Sequence, residues 1–410
     1  MNKEICSGVG TALQGFYKVA VVNAETKEVV WQQDEWQKNL ILNQGMDDIY
    51  TYSIVTLMTY GVAGSGTRPN SIDGGTSEIT QSGATVYLNV NTGLSDFTSS
   101  TSTYAARVQV GDVLKYANNS ESMVSAVDVG GFNLTVSPSY TFTSGQTFVI
   151  WKTSQAGLES EIKRTNTYLV GAGNSETTTA GNVRTHRRTY DFTAEVGSVT
   201  YNEVGVARLS SGATNVFNRI LLASPVTVDA TFQLRLIYDL QTTWTPATPL
   251  YNTASIGGWP VAPSTNTIGS ESLQVFLTSI VAVADGLSTL TNAIMDPYLT
   301  SNVKMWASPS STVLSAFGSA ANRTTNGAVT AADVTKAAYV AGSYYCDKTG
   351  TLTVGQINRT DIRSIGFGKG TTAYDATNQA YAYVFDQPQT KDSTQTLSFT
   401  FRTTWARVLA

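Results

Sequence analysis

The chain has 410 residues, of which 41% are hydrophobic and 14% charged, with a formal net charge of −4. That length points to two or three domains rather than one, and the acidic balance gives nucleic acid no electrostatic hold. His186 is the only histidine, and Cys6 and Cys346 are the only cysteines. Ser-His and Cys-His chemistry is therefore excluded unless His186 itself is the base, and neither a disulfide framework nor a zinc site can be built. The thiols read as buried and free rather than as a Cys6–Cys346 bridge.

The start, Met1-Asn-Lys-Glu-Ile-Cys6, has no apolar core of a secretory signal, so export by the general route is not expected. Residues 16–31 alternate around a turn at Asn23-Ala-Glu-Thr26 and read as a hairpin. Asn43 is placed to cap a short helix, with Asp47 and Asp48 favouring its N-terminus. Ile54 to Val62 reads as an apolar strand, and Gly64-Ser-Gly-Thr-Arg-Pro69 as a loop. Short strands and turns over 84–153 suggest an inserted small β-barrel. Alternating strands follow from Arg187 to Tyr238, and the two prolines of Thr245-Pro-Ala-Thr-Pro249 suggest a linker. The apolar window Leu273 to Ala284 falls short of the ~20 residues of a membrane span. Ala331 to Ala341 reads as a helix.

One pattern is written twice. Asn202-Glu-Val-Gly-Val-Ala-Arg208 runs on to Thr242-Thr-Trp244, and Arg363-Ser-Ile-Gly-Phe-Gly-Lys369 runs on to Thr403-Thr-Trp405. Gly205 precedes Trp244 by 39 residues, and Gly366 precedes Trp405 by the same 39. The fold expected is mainly β: tandem β-sandwich-like modules with an inserted small β-barrel and a few short helices. Their bounds are 1–83 plus 154–244 for the first module, 84–153 for the insertion and 250–410 for the second, related module. Trp244 and Trp405 should be equivalent buried anchors, and Gly205 and Gly366 should mark a bulge or a close backbone approach.

Several motifs suggest chemistry and do not carry it. Asp347-Lys-Thr-Gly-Thr-Leu-Thr353 spells the phosphorylation motif of P-type ion pumps, but the pump's membrane spans and magnesium motif are missing, and coincidence is the better reading. Gly64-Ser-Gly-Thr67 lacks the Lys of a phosphate loop and reads as a turn. The basic run Arg184-Thr-His-Arg-Arg188 reads as a solvated strand end. Glu159, Glu161, Glu203 and Asp239 are scattered by pattern along surface faces, a poor match to paired glycosidase acids. No catalytic, cofactor-binding or metal-ligating residue is assigned, and no cofactor is expected.

Lys38-Asn-Leu-Ile-Leu-Asn-Gln-Gly45, Gly64-Ser-Gly-Thr-Arg-Pro69, Leu158-Glu-Ser-Glu-Ile-Lys-Arg164, Asn202-Glu-Val-Gly-Val206 and Asn218-Arg-Ile-Leu-Leu-Ala-Ser-Pro-Val226 occur in that order. As an ordered set they resemble virion structural proteins of tailed bacteriophages (minor tail, collar or fibre-associated), from whose simpler members the 84–153 insertion departs. The resemblance implies a non-enzymatic virion component, assembled in the bacterial cytoplasm. It would act as a homo-oligomer docking on tail, collar, portal or fibre proteins, with neither nucleic acid nor membrane as partner. A receptor- or glycan-binding fibre component, a capsid decoration protein and, more weakly, a polysaccharide hydrolase are the alternatives.

Overall fold

The structure, a computed structural model, describes residues 2–52, 54–67, 71–73, 79–82, 85–88, 108–116, 121–128, 133–137, 148–180, 183–246, 272–275, 303–308, 329–356, 358–369 and 379–409. The fold is mainly β. The first module is a sandwich. One sheet takes, in spatial order, Glu161–Thr165, Tyr60–Gly64, Val199–Ala207, Val216–Val228 and Leu40–Ile41, all antiparallel. The facing sheet contains Val183–Asp191, Phe232–Pro246 and the long N-terminal strand Asn2–Asn23. Leu13, Tyr17, Tyr190, Leu236 and Tyr238 from one sheet meet Ala63, Val204, Val206, Phe217 and Ile220 from the other in a single buried cluster. Inward apolar residues on two antiparallel sheets give this packing directly.

The second half repeats that wiring. Val329–Lys336, Val303–Ser308, Arg359–Lys369, Gln379–Lys391 and Ser272–Val275 lie side by side in that order. Tyr345–Leu352 pairs antiparallel with Thr396–Arg407, as Val183–Asp191 pairs with Phe232–Pro246. In both halves the chain visits positions five, two and one of the five-strand set. It then forms the outer strand of the pair, returns to positions three and four, and ends on the inner strand. Bidentate cross-strand ion pairs recur too: Arg187–Asp239 and Arg235–Asp191 in the first copy, Arg402–Asp347 in the second. One difference joins the sheets of the second copy: Val329–Lys336 pairs with Val303–Ser308 along its first part and with Tyr345–Leu352 along its last.

The N-terminal strand is shared between the copies. It runs antiparallel to Phe232–Pro246 and parallel to Thr396–Arg407, so Thr11 lies opposite Trp244 on one side and Trp405 on the other. Trp405 is buried, as expected, and the side chain of Trp244 lies outside the described residues. Cys346 is buried and free. Its strand is separated from that of Cys6 by Thr396–Arg407, with Cys346 opposite Thr403 and Cys6 opposite Thr400. Two strand spacings put such positions about 9.5 Å apart or more, beyond the ~7 Å reach of a disulfide.

The hairpin at 16–31 forms as expected, with Val29–Gln32 folding back on Ala20–Val22. Three expectations are corrected. Ile54–Leu57 is a helical turn and only Tyr60–Gly64 is a strand, because Thr59 bonds back to the Thr56 carbonyl and turns the chain. The Ala331–Ala341 segment is a strand to Lys336 and then a loop, since neighbours on both sides outweigh alanine's helix propensity. Thr245 and Pro246 end a strand opposite Gly10 and Val9 instead of forming a linker, a strand-end place that proline tolerates; residues 247–249 lie outside the described residues. The insertion is a seven-stranded sheet that also recruits Ser71–Asp73 and Ile79–Ser82, and among the described residues no pairing closes it into a barrel.

Candidate functional site

The five motif segments that carry the resemblance meet around one buried ion pair. Glu203 and Arg219 lie on adjacent strands with both side chains fully buried, and the Arg219 Nε donates to Glu203 Oε2 at 2.6 Å. They are diagonal neighbours, since Glu203 lies opposite Leu221 and Gly205 opposite Arg219. The carboxylate also accepts three backbone N–H groups: Gly66 at 3.1 Å, Ser160 at 2.8 Å and Glu159 at 3.1 Å. Asn202 Nδ2 donates to the Ser65 carbonyl, and the Ser65 N–H donates to the Ser160 carbonyl. A charge in a dry interior is tolerated only when its hydrogen-bonding capacity is filled this way. Glu203 therefore closes the loops at 64–67 and 158–160 onto the sheet.

The glycines of these motifs are explained by the same closeness. A Cβ on Gly64 would lie 2.3 Å from the Ser160 carbonyl oxygen, on Gly66 2.4 Å from Glu203 Oε1, and on Gly205 2.2 Å from the Asn218 carbonyl oxygen. The expected close approach at Gly205 is thus present, with ladder irregularities on either side of it. Gly205→Ala should cost about 1–3 kcal/mol through forced backbone displacement, read as a lowered denaturant midpoint; an unchanged midpoint contradicts this packing.

A second junction holds the copies together. The helix Asn43–Asp48 begins after Leu42, and Asn43 does not cap it: its Nδ2 donates to the Gly111 carbonyl of the insertion. Asp47 and Asp48 fall at the C-terminal end, where the helix dipole opposes them, and their partners compensate. Asp47 accepts the Tyr339 hydroxyl and the Gly342 N–H from the second copy, and Asp48 accepts Gln44 Nε2 and lies 3.7 Å from Arg208 Nε. Trp405 Nε1 donates to the Met46 carbonyl at 2.8 Å, and its ring stacks on Tyr339, which stacks on Tyr50. Arg407 donates to the Ile41 carbonyl and to Asn43 Oδ1.

Burial raises the Asp48 carboxyl above its ordinary value, with Arg208 pulling the other way. The folded protein then holds this proton more tightly than the unfolded chain, so Asp48 subtracts stability as pH rises through the carboxylate range. Asp48→Asn is expected to melt higher than wild type near neutral pH, with the gap closing in acid. Equal melting temperatures near neutrality would refute this assignment.

Asp347 lies mid-strand, both oxygens held by Arg402, which occupies the pump-like motif's aspartate. The basic run is no solvated strand end: His186 and Arg188 are buried, and Arg188 donates to the Met58 carbonyl at 2.7 Å. Glu203 and Asp239 are buried rather than surface acids, while Glu159 and Glu161 are exposed as read. An open depression of about 650 Å³ contains two acids, both engaged: Asp361 with Arg359, and Asp392 with the Thr394 N–H and hydroxyl. Among the described residues no group of three or more His, Cys, Asp or Glu side chains is placed to hold a metal ion, and no helix is long and apolar enough to cross a membrane.

Sequence reasoning missed Arg219, Asn43 and Arg407 as organising residues. A lone acid and a lone base, Glu203 and Arg219, in two strands with no other charged residue were the available signal for the first. No family model, no curated protein and no solved structure matches the chain.

Proposed function

We propose that the chain is a structural component of a tailed-bacteriophage virion, in the tail, collar or fibre-attachment region, and works by oligomeric protein–protein docking. The observation that carries this reading is the convergence on Glu203. The segments that resemble virion proteins are scattered over residues 38–226 of the sequence, yet loops 64–67 and 158–160 and the Asn202 and Asn218 strands share one buried carboxylate. The Lys38–Gly45 segment joins through Leu42, whose N–H bonds to the Phe217 carbonyl. A resemblance spread along the chain is thereby a resemblance of one folded unit. Glu203, Asp239 and His186 are buried, Glu161 is held by Arg164 of its own strand and Glu159 accepts the Thr67 N–H, which favours docking over catalysis as the use of this scaffold.

Peptide mass spectrometry of gradient-purified particles of the encoding phage tests this. Several copies per particle are expected, co-migrating with tail proteins. Recovery only from the soluble lysate would refute the reading, and recovery with isolated capsids would move the chain to a decoration role.

A further inference from the structure

The register about Thr11 is symmetric. On one side Ala12 lies opposite Thr243 and Leu13 opposite Thr242; on the other Gly10 lies opposite Thr404 and Val9 opposite Thr403. Since Trp244 and Trp405 close equivalent strands, a local two-fold axis through Thr11 relates those strands, and one strand serves both halves. Its second half, 14–23, completes the first copy; its first half, 2–8, completes the second. The last antiparallel pair is Val9 with Pro246, so among the described residues 2–8 have strand neighbours only at 396–402. The edge they cover belongs to the strand carrying Leu397 and Phe399, both fully buried. An apolar strand edge of this kind needs a partner strand. Gly8 and Gly10 sit where the arm leaves the first sandwich, and glycines weaken a strand interior at such a point.

We propose that residues 2–8 are a donor strand exchanged between copies: the 396–402 edge of one chain takes the arm of a second. The backbone hydrogen bonds are the same in either arrangement, which is why exchange of an identical element is a low-cost route to association. The proposal draws only its partner, a second copy, from the oligomeric reading above.

The arm carries a natural probe, because Cys6 lies opposite Thr400. In a Thr400→Cys, Cys346→Ser chain, mild oxidation should link Cys6 of one chain to position 400 of another. Linked product should run at twice the 43.8 kDa chain mass. Mixing isotopically light and heavy chains before folding should give linked peptides of mixed label. A link confined to single chains, or no link in a folded variant, overturns the exchange. Sedimentation of the unsubstituted protein gives a second, independent reading: an oligomer that becomes monomeric on deletion of 2–8 is expected, and a wild-type monomer overturns the proposal. Monomers found within particles would sink the exchange alone, and exchanged oligomers absent from particles would sink the virion reading alone.

Discussion

Glu203→Ala should destabilise the protein by about 3–5 kcal/mol, the range for removing one member of a buried ion pair. Three backbone N–H groups and the Arg219 guanidinium lose their acceptor together, at a site where both side chains are fully buried. Glu203→Gln should cost less, because an amide oxygen keeps part of the N–H set while the charge is lost. The informative variant is the double one. Glu203→Met with Arg219→Met should be less destabilised than the sum of its single changes by about 1–3 kcal/mol, since apolar replacement of a whole buried pair is often tolerated. Urea midpoints of the four proteins measure this, and additive costs would mean that the two residues do not act as a unit.

The other large effect is at Trp405. Trp405→Ala should cost about 3–5 kcal/mol, the usual range for deleting a buried aromatic, because it opens a cavity in the main cluster and leaves the Met46 carbonyl without its indole donor. Trp405→Phe retains most of the contact area and loses the N–H, so about 1–3 kcal/mol is expected from the unsatisfied carbonyl. Loss of the ring also removes one end of the Trp405–Tyr339–Tyr50 stack. Tryptophan fluorescence and thermal melts read both variants. A melting temperature unmoved by Trp405→Ala would remove the anchor role inferred from the repeat.

Periodicity made the strands legible, and the repeat made the pairing legible. Tyr345–Leu352 alternates exposed and buried positions along its length, and its partner relation to Thr396–Arg407 follows from the first copy. Alternation says nothing about whether a charged residue points inward, so Glu203, Asp239 and Arg188 read as surface groups until their partners came from distant segments. Glu203 is bonded across 137 residues to Gly66, and Arg188 across 130 to Met58. The helix misreading at Ala331 has the same cause, local propensity overruled by two neighbouring strands. Asn43 satisfied the composition of a cap and was instead drawn to Gly111, a contact formed only once the insertion folds.

The sharing of one N-terminal strand by two wired-alike halves of the chain is the claim on which the rest stands, and amide hydrogen exchange at Val9 to Leu13 measures it most directly. These residues have strand partners on both sides, so the account predicts exchange as slow as the slowest in the protein and lost only on global unfolding. Rapid exchange there in the folded protein, with 232–246 and 396–407 still protected, would contradict it.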